Sequence, residues 1–320
     1  MSYALKFNIL EINSVLGEQK TPVNSILKLD DQKVERIITR TGVSNVFFIG
    51  ETQNFIDLAF KSTETIVRDQ HLLNEDVILI LATQSNVDLI PADGNRLREQ
   101  LGLGKNSFVL DLNMGCSSFV YALTTAISLL YSTNYEKALI ITGDAYSKYS
   151  QKSNDSTRAL FSDACTSVLI ETGDKFEILG YDFGGQGSNS SSISVEKYQI
   201  DNHFELGDFV MDGKYVYQFV SSSIPTSINK ILEKCGLSVH NVNYFLFHQG
   251  SRVILEELTQ KLNLEPSKVL SNIEKLGNTA SASLPILLGE LTNKLVSKDK
   301  LILSGFGVGL SWGTILIEMK

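Results

Sequence analysis

The chain has 320 residues, 43% hydrophobic and 20% charged, enough for one large core or two fused medium ones. A formal net charge of −8 argues against a nucleic-acid partner, which would favour a basic face. Three cysteines, Cys116, Cys165 and Cys235, are too few for a disulfide framework and fit free thiols in a reducing cytoplasm.

In chain order, the opening Met-Ser-Tyr-Ala-Leu-Lys-Phe-Asn has no basic segment leading into an apolar run, so no secretory leader is expected. Val77 to Ala82 reads as a short buried strand running into Thr83-Gln84-Ser85, followed by a helix around Asn95 to Leu101. Phe108 to Leu112 is the next strand, and Gly115-Cys116 follows it. From Leu112 to Tyr135 there is no charged residue. Its serines and threonines make it too polar for a membrane span, so a helix buried inside a soluble protein is expected. Lys137 to Gly143 is another buried strand, and the Ser- and Gly-rich stretch Gly184 to Ser194 is expected to be a loop near the middle of the fold.

The same order then recurs. Val242 to Phe247 runs into His248-Gln249-Gly250-Ser251, and Ile254, Leu258 and Leu262 mark a helix from Val253 to Leu262. Val269-Leu270, Gly277-Asn278, a helix from Leu284 to Val296 and the strand Lys300 to Gly305 complete the set. Gln84 and Gln249 are 165 residues apart, and Gly143 and Gly305 are 162 apart. This spacing reads as a duplicated β-α-β-α-β unit, since a solenoid needs a much shorter period. Alternating strands and helices predict mixed sheets covered by helices, the two halves packed face to face with the uncharged helix between them. The expected halves are residues 1–172, with the cysteine, and 173–320, with the histidine and asparagine.

Three residues stand at equivalent strand-to-helix junctions. Cys116 follows a strand and a glycine and opens a helix, where unpaired N–H groups and the helix dipole favour a thiolate and can hold an oxyanion. Alone it reads as a buried structural cysteine. His248 ends an apolar strand, and alone reads as a hydrogen-bonded core histidine. Asn278 follows Gly277, where a turn or capping role is the ordinary reading. The duplication brings all three to one end of the packed sheets.

Six segments carry a resemblance over nearly the whole chain. They are Thr39-Arg40-Thr41-Gly42, Asp111 to Ser118, Phe161-Ser162-Asp163, Phe247-His248-Gln249, Gly277-Asn278-Thr279 with Ser283 and Pro285, and Phe306 to Gly313. In this order and spacing the chain resembles the thiolase superfamily, most closely the β-ketoacyl-acyl-carrier-protein synthase III family. The resemblance implies an α/β, five-layered α-β-α-β-α sandwich, a homodimer, and a Cys116, His248, Asn278 triad. It implies that an acyl thioester loads Cys116, with an oxyanion held by the N–H groups of Cys116 and Val308. A malonyl thioester then loses CO2 and attacks, giving a 3-oxoacyl product. The substrates would be thioesters of acyl carrier protein or coenzyme A, with no bound cofactor or metal, no nucleic acid, no membrane insertion and a cytoplasmic location.

Several positions depart from the family pattern. Arg36 stands where a tryptophan stacks the adenine of coenzyme A, and Asp155 where its partner arginine is usual. Ser251 replaces an asparagine, and Val253 a carrier-facing arginine, with Arg252 adjacent but turned by about 100° on a helix. Ile90 replaces a phenylalanine that reaches the partner subunit's acyl pocket. Arg36, Arg40, Ile90 and Arg252 are the expected substrate- or carrier-binding residues. Cys165 is expected to be a packed core residue. A non-decarboxylating acyltransferase passing the acyl group to a hydroxyl or amine is the alternative on the same scaffold. A papain-like protease shares the order Cys, His, Asn but not the doubled architecture. Chalcone synthases share the triad with different flanking residues, and an inactive binding protein would not need it.

Overall fold

Side chains that alternate across each strand set the architecture, because every strand of the main sheet has helices on both faces. The computed structural model describes residues 5–150, 153, 155–200 and 203–320. The chain starts with β1 (Leu5–Leu16), then a small ladder of β2 (Gln19–Pro22) and β3 (Asn45–Phe48) enclosing α1 (Val23–Ile26) and α2 (Asp31–Thr41). Next come α3 (Phe55–Asp69), β4 (Ile78–Ala82), α4 (Asp93–Gln100), β5 (Phe108–Leu112) and α5 (Ser118–Ser132). They are followed by β6 (Lys137–Asp144), α6 (Asp155–Arg158) and β7 (Ala164–Thr172). The second part runs β8 (Phe176–Gly185), the antiparallel pair β9 (Ile193–Ile200) and β10 (His203–Met211), α7 (Gly213–Lys234) and β11 (Tyr244–Phe247). It ends with α8 (Arg252–Lys261), β12 (Val269–Leu270), α9 (Ile273–Leu276), α10 (Ser283–Thr292), β13 (Lys300–Gly307) and β14 (Ser311–Met319).

The duplication is visible in the strand order. From the middle outwards, one side reads β1-β7-β6-β4-β5 and the other β8-β14-β13-β11-β12. In each set the outer three strands are parallel and the inner ones antiparallel. The two sets are not separate sheets. Leu5 to Phe7 pairs with Phe176 to Ile178, joining them into one ten-stranded ladder.

Three cores separate the layers. Ile78, Ile80, Ile140 and Ile170 of one set, with Leu301, Leu303 and Ile315 of the other, pack on Phe119, Leu123 and Ile127 of α5 and Leu287 of α10. Their strand neighbours Leu79, Leu81, Leu139 and Ile141 point the other way, onto Ile56 and Ile66 of α3. Ile302, Phe245 and Phe247 likewise face Phe219, Ile224 and Ile228 of α7. The outcome is a five-layered α-β-α-β-α sandwich with α5 and α10 in the middle, touching strands of both sets. Without charges, α5 turns several of its serine and threonine hydroxyls onto its own backbone. Thr124 donates to the Val120 carbonyl at 2.9 Å and Ser128 to Thr124 at 2.8 Å. Among the described residues no helix is long and apolar enough to cross a membrane.

Two local expectations change. The predicted helix to Val296 ends at Thr292. The stretch Gly184 to Ser194 is not a plain loop, since β8 continues through Gly185 and 3₁₀ turns span residues 187–192. Gly184 pairs with Trp312, whose indole would lie 2.2 Å from any Cβ at that position. The glycine there makes room for a ring in a strand. Cys165 is fully buried, as expected, with Ser62 Oγ 3.3 Å from its sulfur.

Candidate active site

Cys116 lies in a 3₁₀ turn, Gly115–Ser117, that precedes α5 rather than in the helix itself. Gly115 has φ +53°, and a Cβ there would meet the Val308 side chain at 2.8 Å. Ser117 Oγ contacts Ser311 Oγ at 2.9 Å, tying this turn to the one between β13 and β14. Glycines on β13 bring its backbone against the cysteine. A Cβ on Gly305 would lie 2.7 Å from the Cys116 carbonyl oxygen, and one on Gly307 would lie 3.2 Å from its sulfur.

The thiol is pushed up to about 12, first by burial and then by the nearby Asp144 carboxylate, while the backbone N–H groups of Val308 and Cys116 pull it down. This corrects the expectation that the helix start favours a thiolate. The amides do reach the sulfur, but burial at 5% exposure outweighs them. The same two amides are positioned to hold an oxyanion on a carbonyl bonded to that sulfur.

His248 directly follows β11, with its N–H bonded to the Ser304 carbonyl at 2.9 Å. Its Nδ1 lies 2.8 Å from Ser283 Oγ on the first turn of α10, and its ring meets Phe306 edge-on. Burial lowers its pKa to about 3, against an opposing backbone contact from Ala280, so the imidazole is neutral. Asn278 is held at both ends. Its backbone donates to the Leu160 carbonyl and accepts from Ser162 N–H, while Oδ1 accepts from Ala280 N–H at 2.9 Å. One Nδ2 hydrogen goes to the Gly250 carbonyl at 3.3 Å.

Cys116, His248, Asn278 and Val308 line one cavity of about 680 Å³, although 162 residues separate Cys116 from Asn278. Its outer part is lined by Arg40 and Thr41 of α2, Asp155 of α6, Lys214 and Tyr217 of α7, and Ser251 and Val253 at the start of α8. The motif Thr39 to Gly42 is the end of α2, with Gly42 as its left-handed cap at φ 79°. Ser251 caps α8, its Oγ accepting from Ile254 N–H at 3.4 Å, so the departure there keeps a helix-start residue.

The other expected binding residues lie outside this cavity. Arg36 is exposed on α2, and Ile90 is 83% exposed on a surface loop. Arg252 turns away, as its helical position predicts, and pairs with Glu274 at 3.4 Å while lining a separate groove.

Residues not singled out in the sequence also build the site. Ser283 appeared only as part of a motif. Asp144 is buried where β6 ends, accepting from Gln84 N–H at 2.7 Å and Ser281 Oγ at 2.7 Å, thus linking the two parts of the chain. Burial raises its pKa to about 6 against these bonds. A carboxylate directly after the uncharged run Ala138 to Gly143 was the available signal.

Comparison with known proteins points in one direction. Residues 110–187 match the model described as 3-oxoacyl-[acyl-carrier-protein] synthase III, and residues 232–319 match its C-terminal counterpart. The chain is 34% identical to a β-ketoacyl-[acyl-carrier-protein] synthase III of Lactococcus lactis, covering 97% of this chain and 98% of that protein. It is 34% identical to the protein of the same name from Prochlorococcus marinus, over 95% of each. The crystal structure of 3-oxoacyl-(acyl carrier protein) synthase III from Pseudomonas aeruginosa superposes with a TM-score of 0.86, at 27% identity over 98% of both chains.

Proposed function

Because this chain belongs to the β-ketoacyl-[acyl-carrier-protein] synthase III family, we propose that Cys116, His248 and Asn278 are the residues through which it acts. It is a condensing enzyme of the acyltransferase type. The observation that carries the residue assignment is their meeting in one cavity, with two backbone amides aimed at the sulfur.

In the first half-reaction the Cys116 sulfur attacks the thioester carbonyl of an acyl donor. The developing oxyanion lies at the N–H groups of Cys116 and Val308. The bond to the donor thiol breaks, and the proton lost by Cys116 leaves with that thiol. A malonyl thioester then enters, and its carboxylate departs as CO2. The enolate oxygen is held by His248 and by the second Nδ2 hydrogen of Asn278. In the tautomer in which the Ser283 hydroxyl donates to Nδ1, the Nε2 of His248 carries the hydrogen that faces the substrate. A neutral imidazole stabilises this oxygen without protonating the carbon nucleophile. That carbon attacks the acyl carbonyl and releases the Cys116 thiolate, which its raised pKa returns to the thiol by taking up one proton.

We assign the acyl donor to a carrier-protein thioester rather than coenzyme A. Arg36 lies outside the cavity, and the carboxylate of Asp155 lines it near Arg158 at 3.7 Å. Asp155 supplies no cation for the diphosphate of coenzyme A where the family pattern has an arginine, and no stacking residue stands at position 36. No cofactor or metal takes part in the steps above. The working form is a cytoplasmic homodimer, a reading supported by the family and by three unpaired cysteines. The halves meet between Thr172, the end of β7, and Phe176, the start of β8, giving units 1–172 and 173–320.

Intact-mass spectrometry with acyl-carrier-protein and acyl-coenzyme A donors, followed by malonyl carrier protein, tests this. A mass gain lost in Cys116→Ser, then CO2 release with a 3-oxoacyl product, is the expected result. A gain that survives Cys116→Ser overturns the nucleophile, and transfer to water or an alcohol without CO2 release overturns the condensation.

A further inference from the structure

The two oxyanion donors come from opposite parts of the chain. The N–H of Cys116 belongs to the turn Gly115–Ser117, and that of Val308 to the turn between β13 and β14, 192 residues later. Their spacing is therefore set by packing between the turns, not by either backbone alone. Val308 is flanked by Gly307 at φ +152° and Gly309 at φ +135°, which leaves its orientation to side-chain contacts. Two buried hydroxyls bridge the gap. Ser117 is fully buried and Ser311 is 4% exposed, and neither lines the cavity. Ser311 begins β14, where its backbone is paired with Gly307 and Gly185, and its Oγ reaches back to the Val308 carbonyl at 2.9 Å. Ser117 Oγ lies 2.9 Å from Ser311 Oγ and 2.8 Å from the Met114 carbonyl.

Three contacts share two hydroxyl hydrogens, and a carbonyl can only accept. The Met114 carbonyl also has the Ser117 N–H at 3.3 Å, so the arrangement that leaves neither carbonyl unpaired runs in one direction. Ser117 donates to Ser311, and Ser311 donates to the Val308 carbonyl. We infer that Ser117 and Ser311 are positioning residues for the oxyanion site, fixing Val308 against the turn that carries the nucleophile. The inference rests on the acyl-Cys116 reading and adds to it two residues that act only through others. The carbonyl and the N–H of Val308 belong to different peptide units, so the hold orients the N–H without polarising it. An oxyanion forms twice at this place, on the donor's carbonyl during loading and on the acyl carbonyl when the carbon nucleophile attacks. The enolate oxygen lies with His248 and Asn278 instead. Loss of the hydroxyl pair should therefore slow loading and leave CO2 release.

The test is single-turnover acyl loading of the full chain at saturating donor, followed by intact mass, beside iodoacetamide alkylation of the same thiol. Alkylation displaces iodide at a saturated carbon and builds no oxyanion on a carbonyl, so it reports the thiol alone. Ser311→Ala removes both links to Val308 and is expected to slow loading at least about tenfold, short of the loss from deleting a donor outright. Alkylation, and CO2 release by enzyme already acylated, are expected to change less than about threefold. Ser117→Ala leaves the Ser311 bond to Val308 in place, so loading slows by at least about threefold, and it serves if the Ser311 variant does not fold. Thr314→Val breaks a matched pair, Ser304 Oγ and Thr314 Oγ1 at 2.8 Å, buried on the same two strands but away from the turn. Its ratio of loading to alkylation is expected to match the unmodified protein. Equal slowing of loading and of alkylation or CO2 release overturns the inference. Unchanged loading in the folded serine variants does so too, as does a ratio shifted as far by Thr314→Val. In each case loading by the unmodified protein leaves the acyl-Cys116 reading standing. If no donor loads Cys116, that reading falls and the inference with it.

Discussion

Alkylation of Cys116 as a function of pH is the sharpest check on the site's electrostatics. Burial and Asp144 hold the thiol at about 12, and His248, lowered to about 3, is neutral and cannot form an imidazolium–thiolate pair. At pH 7.5 the thiolate fraction is then roughly 1 in 30,000, against about a tenth for an ordinary cysteine, a deficit of roughly three thousandfold. A more basic thiolate is intrinsically more nucleophilic, which recovers about fortyfold at a Brønsted slope near 0.45. Iodoacetamide should therefore modify Cys116 on the order of a hundredfold more slowly than a free thiol. The rate should climb about tenfold per pH unit from pH 6 to 10. Peptide-resolved mass spectrometry is needed because Cys235 is half-buried and reacts independently, whereas Cys165 is buried and also held at about 12. A rate that levels off below pH 8 would refute the reasoning, since it would mean a stabilised thiolate pair at rest.

Other substitutions probe the same geometry. Gly307→Ala places a methyl 3.1 Å from Cys116 Cβ and 3.2 Å from its sulfur. It should cost about 1–3 kcal/mol and slow acyl loading at least about tenfold. Gly187→Ala, with nothing within 4 Å, should load normally in the same mass assay. Ser283→Ala leaves His248 Nδ1 without its 2.8 Å partner. It should lower stability by about 1–3 kcal/mol. CO2 release should slow more than Cys116 loading, and an equal effect on both steps would argue against a role in the second half-reaction.

Stability against pH tests the two buried ionisable groups, whose contributions have opposite signs. His248 is lowered from 6.5 to about 3, so the unfolded chain binds its proton first and stability is lost as pH falls from 6.5 towards 3. Asp144 is raised from 3.8 to about 6, so its contribution is present below 3.8 and is lost as pH rises through 6. Asp144→Asn removes the opposing slope. Urea unfolding of this variant should show stability falling more steeply than the parent between pH 6 and 4, and a shallower fall would contradict the assignment.

Much of this protein is readable in one dimension. The strands from Val77, Lys137, Val242 and Lys300 are legible because a sheet buried on both faces requires continuous apolar runs, and such runs stand out against 20% charged residues. The duplicated order follows from repeated spacing, and Cys116 and His248 stand where a strand gives way to a helix, as read, whereas Asn278, expected at an equivalent junction, lies between α9 and α10. Each of these depends on neighbours in sequence. What needed the tertiary structure depends on neighbours in space. Ser283 meets His248 across 35 residues. The pairing of Leu5 to Phe7 with Phe176 to Ile178 that joins the two sets, and the meeting of Ser117 and Ser311, have no local signature. The outward turn of Arg252 was visible from the helical period, but its pairing with Glu274 was not. The protonation state of Cys116 was misread for the same reason. A helix start predicts a stabilised thiolate only where solvent helps to hold the charge, and the packing that buries this sulfur is a property of the folded whole.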